Sequence, residues 1–295
     1  MDNSEQAIVK TLLYSDVFEY PLDRNQIWKY LISDKKIDKN NFDKKLDKIN
    51  TVVHRNKNFF FIKDKNSSVL KRFKKEKESY KKIKKALTTI KVLSKIPTVK
   101  LIGISGNLSL LNAGRKDDID LFIVSSKNTA WSTRLLLILL LKLLGKHRKR
   151  EDREVSDKFC LNMIIDEEKL SQPGSLRNLY TAHEIAQLLP IFEREDTFGK
   201  FADSNQWMVK YLPNSISEMK KNKIEGDISS NWEKLAVKIL EVSRFEKIAM
   251  IFQKALISRN LTREIVQDKY IALHPRDYGA LIIKNYSSRL THHGL

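Results

Sequence analysis

From residue 4 to residue 18 the chain reads SEQAIVKTLLYSDVF, and Ile8, Leu12, Leu13 and Val17 recur at a helical interval. Pro21 breaks that pattern, and Asp23 stands as a cap before a second helical run, LDRNQIWKYLI. A third run, DKNNFDKKLDKI, sets Phe42, Leu46 and Ile49 on one face. TVVHRNKNFFFIKD then offers two β-branched or aromatic runs around a turn at RNKN, as a hairpin requires. Three helices and a hairpin predict a winged-helix-like module over residues 1–66. The next segment, 67–96, is predicted as one long basic helix. Its packed stripe is Val69, Phe73, Tyr80, Ile83 and Leu87, with the lysines and arginines outward.

Pro97 ends that helix, and TVKLIGIS reads as a strand. A helix over 107–113, a strand over 119–124, a helix over 129–145 and a strand over 158–166 follow. This alternation predicts a small sheet covered by helices, spanning 97–170. From about residue 171 the pattern turns helical, in LRNLYTAHEIAQLL, NWEKLAVKILEVSRFEKIAMIFQKALI and LTREIVQDKYIALH, and no strand is expected there. The predicted fold class is α+β: a small mixed-sheet core between an N-terminal winged-helix-like module and a helical C-terminal domain, 171–295.

Composition adds a strong charge. Fifty-five Lys and Arg against 36 Asp and Glu give a formal net charge of +19. Such a balance favours phosphate-rich partners, RNA or DNA among them, because released counterions drive association. An AT-rich genome would impose the same scattered lysines. In the third predicted helix, Lys39, Lys44, Lys45 and Lys48 alternate with Asp38, Asp43 and Asp47, which repel phosphates. Groove binding and protein docking therefore both stay open for this module. The single cysteine, Cys160, excludes an intramolecular disulfide and a cysteine-based zinc site, and fits a reducing compartment. MDNSEQAIVK has no signal-peptide pattern, and LLLILLLKLL at 135–144 falls short of the ~20 residues of a membrane span. A cytoplasmic protein with no membrane partner is expected.

The chemistry concentrates in 103–124, GISGNLSLLNAGRKDDIDLFIV. Ser105-Gly106 make a tight turn where a phosphate can approach the backbone closely and meet helix N–H donors. Alternation along the next strand turns Asp118 and Asp120 to one face while Ile119 enters the core. Two carboxylates facing a phosphate-binding turn suit a hard divalent cation, Mg²⁺ or Mn²⁺, carrying nucleotide phosphates.

These residues resemble the polymerase-β-like nucleotidyltransferases, whose signature is Gly-Ser after the first strand and an Asp-x-Asp roughly a dozen residues later, followed by apolar residues. Gly106, Asp118 and Asp120 match it. The resemblance covers about 97–166, and the whole chain is similar to bacterial proteins that join an N-terminal helical module to such a domain. It implies Mg²⁺-dependent transfer of a nucleoside monophosphate from a nucleoside triphosphate to an acceptor hydroxyl. Asp118 and Asp120 would hold the metal, and Ser105, Gly106 and Asn107 would meet the phosphates. Two departures stand out. Asn107 replaces the usual serine. The third carboxylate, implied on a later strand, is missing from KFCLNMIID, where alternation groups Cys160, Asn162 and Ile164 against Phe159, Leu161 and Met163. Asn162 is the polar residue at that place, and a neutral amide binds Mg²⁺ less well and cannot act as a base. Asp157 and Asp166 near the strand ends are fallbacks, and Asp117 flanks the pair.

Arg115 and Lys116 are the nearest candidate triphosphate clamps, with Lys127 and Arg134 further along; the first two equally balance the aspartates. Trp131 is a base-stacking or a core residue. His183-Glu184 cannot start a zinc-protease motif, because Gln187 stands where a second histidine is needed. His183 remains a candidate base or phosphate donor, and His274, with Arg276 and Asp277 after it, a capping residue. Two functions follow: a nucleotidyltransferase whose acceptor is a nucleic acid, a protein or a small molecule, and a weakened relative serving as a nucleic-acid-binding or regulatory module. Asn162 sustains the second.

Overall fold

The structure, a computed structural model, describes the chain except residues 50, 51, 63–65, 150, 222, 223, 225, 228, 259–264 and 274–277. Helix α1 (Asn3–Asp16) starts at Asp2, whose carboxylate accepts the Ser4 and Glu5 amides while Glu5 returns a bond to the Asp2 amide. A two-residue strand, β1 (Leu22–Asp23), leads into α2 (Arg24–Lys29), which Asp23 caps together with Gln26. Helix α3 (Lys39–Lys48) begins at Asp38, and β2 (Val53–Asn56) and β3 (Phe59–Ile62) form the expected hairpin. β1 joins it as an unforeseen third strand, in the order β1-β3-β2. On α3, Phe42 and Leu46 are buried, and the acids are matched within the unit. Arg24 holds Asp43 at 2.8 Å and also pairs with Asp47, while Lys45 lies 3.1 Å from Glu5.

Helix α4 (Asn66–Leu93) is as long as predicted, and Val69 and Ile83 pack inward as expected, but the other three members of the predicted stripe do not. Phe73, Tyr80 and Leu87 are 40%, 57% and 45% exposed, whereas Arg72, Ser79, Lys82, Ala86 and Ile90 are buried. The neighbour explains the reversal: α4 lies against the loop 110–117, whose backbone groups need partners. Arg72 donates to the Leu110 and Leu111 carbonyls, and the Ser79 hydroxyl accepts the Ala113 amide at 3.0 Å. Lys82 donates to the Asp117 carbonyl at 2.7 Å and to the Asp157 carboxylate at 2.8 Å. The basic helix is thus a strut that fixes the segment entering the acidic pair. Lys82→Met should cost about 1–3 kcal/mol, because a buried carbonyl loses its donor while the apolar stem is kept. Urea unfolding measures this, and an unchanged midpoint would show that the strut carries no load.

The remaining elements build one six-stranded sheet. In chain order they are β4 (Val99–Ile104), α5 (Gly106–Ser109), β5 (Ile119–Ser125), α6 (Ala130–Leu143), β6 (Phe159–Asp166), α7 (Leu179–Ala186), β7 (Leu189–Glu193), α8 (Thr197–Ser204), α9 (Ser215–Lys221), α10 (Asn231–Val242), α11 (Phe245–Ser258), β8 (Ile265–Val266), β9 (Tyr270–Ala272) and α12 (Tyr278–His292). The strand order is β7-β4-β5-β6-β9-β8; β5 and β6 run parallel and every other pair antiparallel, so the fold is mixed α+β. One face carries Ile119, Leu121, Ile123, Phe159 and Leu161 under α4, α6 and α11. The other carries Leu101, Phe122, Val124 and Ile165 in a core shared with the N-terminal unit and α7, α8 and α12.

Several expectations need correction. The segment after 171 is not purely helical, since β7, β8 and β9 complete the sheet from within it. β7 reads LPIFE, and Pro190 is tolerated because β7 is an edge strand. LTREIVQDKYIALH holds β8 and β9, whose Ile265, Val266, Tyr270 and Ile271 suit a pleated surface better than a helix. The helix expected over 107–113 is the single turn α5. His274, Arg276 and Asp277 lie outside the described residues. Among the described residues no helix is long and apolar enough to cross a membrane.

Candidate active site

The acidic pair is built by the β4–β5 hairpin. The Ser105 amide donates to the Asp120 carbonyl at 2.9 Å, which locks the turn at the end of β4 to the start of β5. Gly106 then adopts φ +63°, and a Cβ placed on it would lie 2.8 Å from Asp120 Oδ2. The glycine therefore answers both a left-handed backbone and the close approach of a carboxylate. Asp118 and Asp120 come together as predicted. One carboxylate oxygen from each, with the Cys160 sulfur, lie within 4.8 Å of one another. Among the described residues no third carboxylate joins this group.

The third side chain of the group is Cys160, the parallel-register partner of Asp120. Asn162 is displaced by a bulge: β5 pairs Leu121 with Leu161 but Phe122 with Met163, leaving Asn162 as the extra residue. The bulge overturns the simple alternation predicted for this strand, because Met163 and Ile165 join the face of Phe122 while Ile164 turns to that of Leu161. The Asn162 side chain lines a cavity instead.

Charge in the site is tense. Burial, and then the Asp118 charge, raise Asp120 to about 7, with Arg148 opposing them. Burial, and then Asp120, push the Cys160 thiol up to about 12, so it stays a neutral thiol at physiological pH. Arg148, which nothing in KHRKRED singles out, donates from Nη1 to Asp118 Oδ2 at 2.6 Å. Its guanidinium supplies the positive charge that two adjacent carboxylates need. Arg115 and Lys116 are exposed on the loop before the pair, and Asn107 is exposed at the first position after Gly106. Asp117 turns back to accept the Gly114 amide at 2.9 Å and so shapes that loop.

The other candidates are structural. Lys127 follows the far end of β5 and pairs with Glu168 at 2.7 Å. Arg134 is buried against Gln253, and Trp131 is fully buried with its indole N–H on the Asp268 carbonyl. Asp166 accepts the Asn128 and Glu168 amides, and Asp157 pairs with Lys82 and Lys85. His183 stacks on Tyr14 at 3.9 Å between ring centroids and bonds the Leu179 carbonyl, and burial lowers it to about 4; it is a core residue. Its neighbour Glu184 faces the cavity that Ser105 and Asn162 also line. Burial, and then the Asp120 charge, raise Glu184 to about 7.

The donor set fits a nucleotide-borne Mg²⁺ or Mn²⁺. Two carboxylates suffice for an ion that takes its remaining oxygens from phosphates and water. The chain matches no protein-family model, no curated protein and no solved structure.

Proposed function

We propose that this protein transfers a nucleoside monophosphate from a nucleoside triphosphate to an acceptor hydroxyl, in the manner of the polymerase-β-like nucleotidyltransferases that its motif resembles. The observation that carries this reading is the convergence of Asp118 and Asp120 beside the Gly106 turn. A divalent cation held by the two aspartates would supply charge neutralisation on the triphosphate. The chain's own residues do the positioning. Asp118 and Asp120 are held at the site by the β4–β5 hairpin and the loop that α4 pins. Arg148, which pairs with Asp118, would be near enough to meet phosphate oxygens, as would Arg115 and Lys116 on the loop before the pair. Asn107, exposed beside the turn, offers an amide N–H₂.

A second reading keeps the nucleotide and transfers nothing. It is favoured by Cys160 at the place of a third carboxylate, since a neutral thiol neither binds Mg²⁺ nor takes a proton. The N-terminal three-helix and hairpin unit, winged-helix-like in its order of elements, would then serve a regulatory role with RNA or DNA. Incubating the protein with each α-labelled nucleoside triphosphate, Mg²⁺ or Mn²⁺, total RNA, DNA and a cell metabolite extract decides between them, beside Asp118→Ala/Asp120→Ala. Label transfer that vanishes in the double variant is expected. Transfer that survives there would sink the site assignment, and nucleotide binding without transfer would favour the second reading.

A further inference from the structure

Behind the acidic pair lies a cavity of about 700 Å³. Ser105, whose amide bonds the Asp120 carbonyl, and Asn162, two residues beyond Cys160, stand on the wall nearest the pair. The other walls come from the turn before α7, from α7, α8 and α12 and from β9. They are mostly apolar and aromatic, with Leu176, Ile185, Phe201, Tyr270 and Ile283 among them, and Gln172, Asn178 and Thr181 add neutral polar groups. Of the described lining residues only Glu184 and Lys284 carry charge, and Lys284 is exposed. A volume of this order suits a single small molecule (such sites span roughly 300–1,000 Å³).

Resting on the nucleotidyltransferase reading, we infer that the acceptor is a small, uncharged, mostly apolar molecule that sits in this cavity and presents one hydroxyl to Glu184. The lining decides against a nucleic acid. A phosphodiester strand needs cations along its path and gains its affinity from them, whereas the described lining residues offer one lysine and set a carboxylate against it. The lysines and arginines behind the +19 net charge are scattered along the chain, with a dense run on α4. Apolar walls instead favour a molecule whose body is removed from water and whose hydroxyl is oriented by a few polar groups. Glu184 is the group placed to take the proton that Cys160 and Asn162 cannot. The acceptor oxygen forms its bond to the α-phosphorus and the bond from that phosphorus to the bridging oxygen breaks. The hydroxyl proton passes to the Glu184 carboxylate, and pyrophosphate leaves with the electron pair.

The test uses the full chain and two independent readouts. Uptake of the neutral apolar fluorophore N-phenyl-1-naphthylamine reports the cavity, and equilibrium dialysis of labelled nucleoside triphosphate with Mg²⁺ reports the nucleotide site. Transfer of α-label is then measured to a panel of neutral aryl and alicyclic alcohols and, as the other arm, to total RNA. Ile283→Trp, which fills the cavity, should weaken fluorophore binding about tenfold or more and leave nucleotide binding unchanged. Glu184→Gln should keep both binding events and lose transfer on the order of 10²–10⁴-fold. Label on RNA alone, or on nothing in the panel while nucleotide binds, overturns the proposal. So does Ile283→Trp weakening the nucleotide instead, which would make the cavity the nucleotide's own seat. Nucleotide that fails to bind the wild type would count against the nucleotidyltransferase reading, and fluorophore uptake sensitive to Ile283→Trp would still define the cavity.

Discussion

Asp120→Asn is expected to melt higher than the wild-type protein at pH 8 in metal-free buffer, and to lose nucleotidyl transfer by on the order of 10³-fold. Both effects come from the same carboxylate. In the folded protein Asp120 is raised from its ordinary 3.8 to about 7, by burial first and then by Asp118. Between those values the folded chain binds a proton that the unfolded chain has released. Stability therefore falls as the pH rises through that window, and the whole penalty is present above about 7. An amide removes it. The gain should be absent below about pH 4 and reach about 2–4 kcal/mol at pH 8, or roughly 4–8 °C in a chain of this size. Mg²⁺ should raise the melting temperature of the wild type at pH 8 and leave that of Asp120→Asn nearly unmoved. A variant that melts lower than wild type at pH 8, or responds equally to Mg²⁺, would show that Asp120 is a structural carboxylate and that the cation site lies elsewhere. Glu184→Gln shares the sign and the window, since Glu184 too is raised to about 7.

Why this site was half legible in the sequence follows from which interactions are local. The N-terminal helices were readable because their apolar spacing is local, as is the Asp23 cap; Asp2 and Asp38 prove to cap the other two through bonds equally short. The acidic pair was readable because the alternation of β5 needs no partner to turn Asp118 and Asp120 to one side. Asn162 was misplaced because a bulge is a property of two strands, and nothing in FCLNMIID marks where β6 slips against β5. The inward face of α4 was misread in part for a related reason. Arg72 and Lys82 are drawn inward by loop carbonyls some 35 residues downstream, by the Tyr20 ring and by Asp157, and hydrophobic periodicity cannot register a polar core. Glu184 escaped in favour of His183 because the facing of α7 is set by the Tyr14 ring on which His183 stacks, a contact across most of the chain. β7 was hidden by Pro190, and β8 and β9 by lengths of two and three residues. Short-range order thus marks where a nucleotide would bind, while the residues that would determine what it reacts with are brought in by tertiary contacts.

Gly106→Ala tests how closely the turn and the Asp120 carboxylate depend on each other. At φ +63° an alanine pays about 1–2 kcal/mol for the left-handed backbone. Its Cβ would also stand 2.8 Å from Asp120 Oδ2, inside any ordinary contact. The backbone has little room to relax, because the Ser105 amide is bonded to the Asp120 carbonyl and β5 is paired on both sides. The carboxylate must therefore turn away from the new methyl, and a displacement approaching 1 Å at a positioned group costs on the order of 10² in rate. Strain and collision can be separated with Gly106→Asn. Asparagine accepts the left-handed conformation more readily than alanine but carries the same Cβ. It should regain part of the lost stability in a urea titration and none of the lost transfer. Recovery of transfer in Gly106→Asn would mean that backbone strain alone disables the alanine variant, and that Asp120 has freedom to move which the buried hairpin does not suggest.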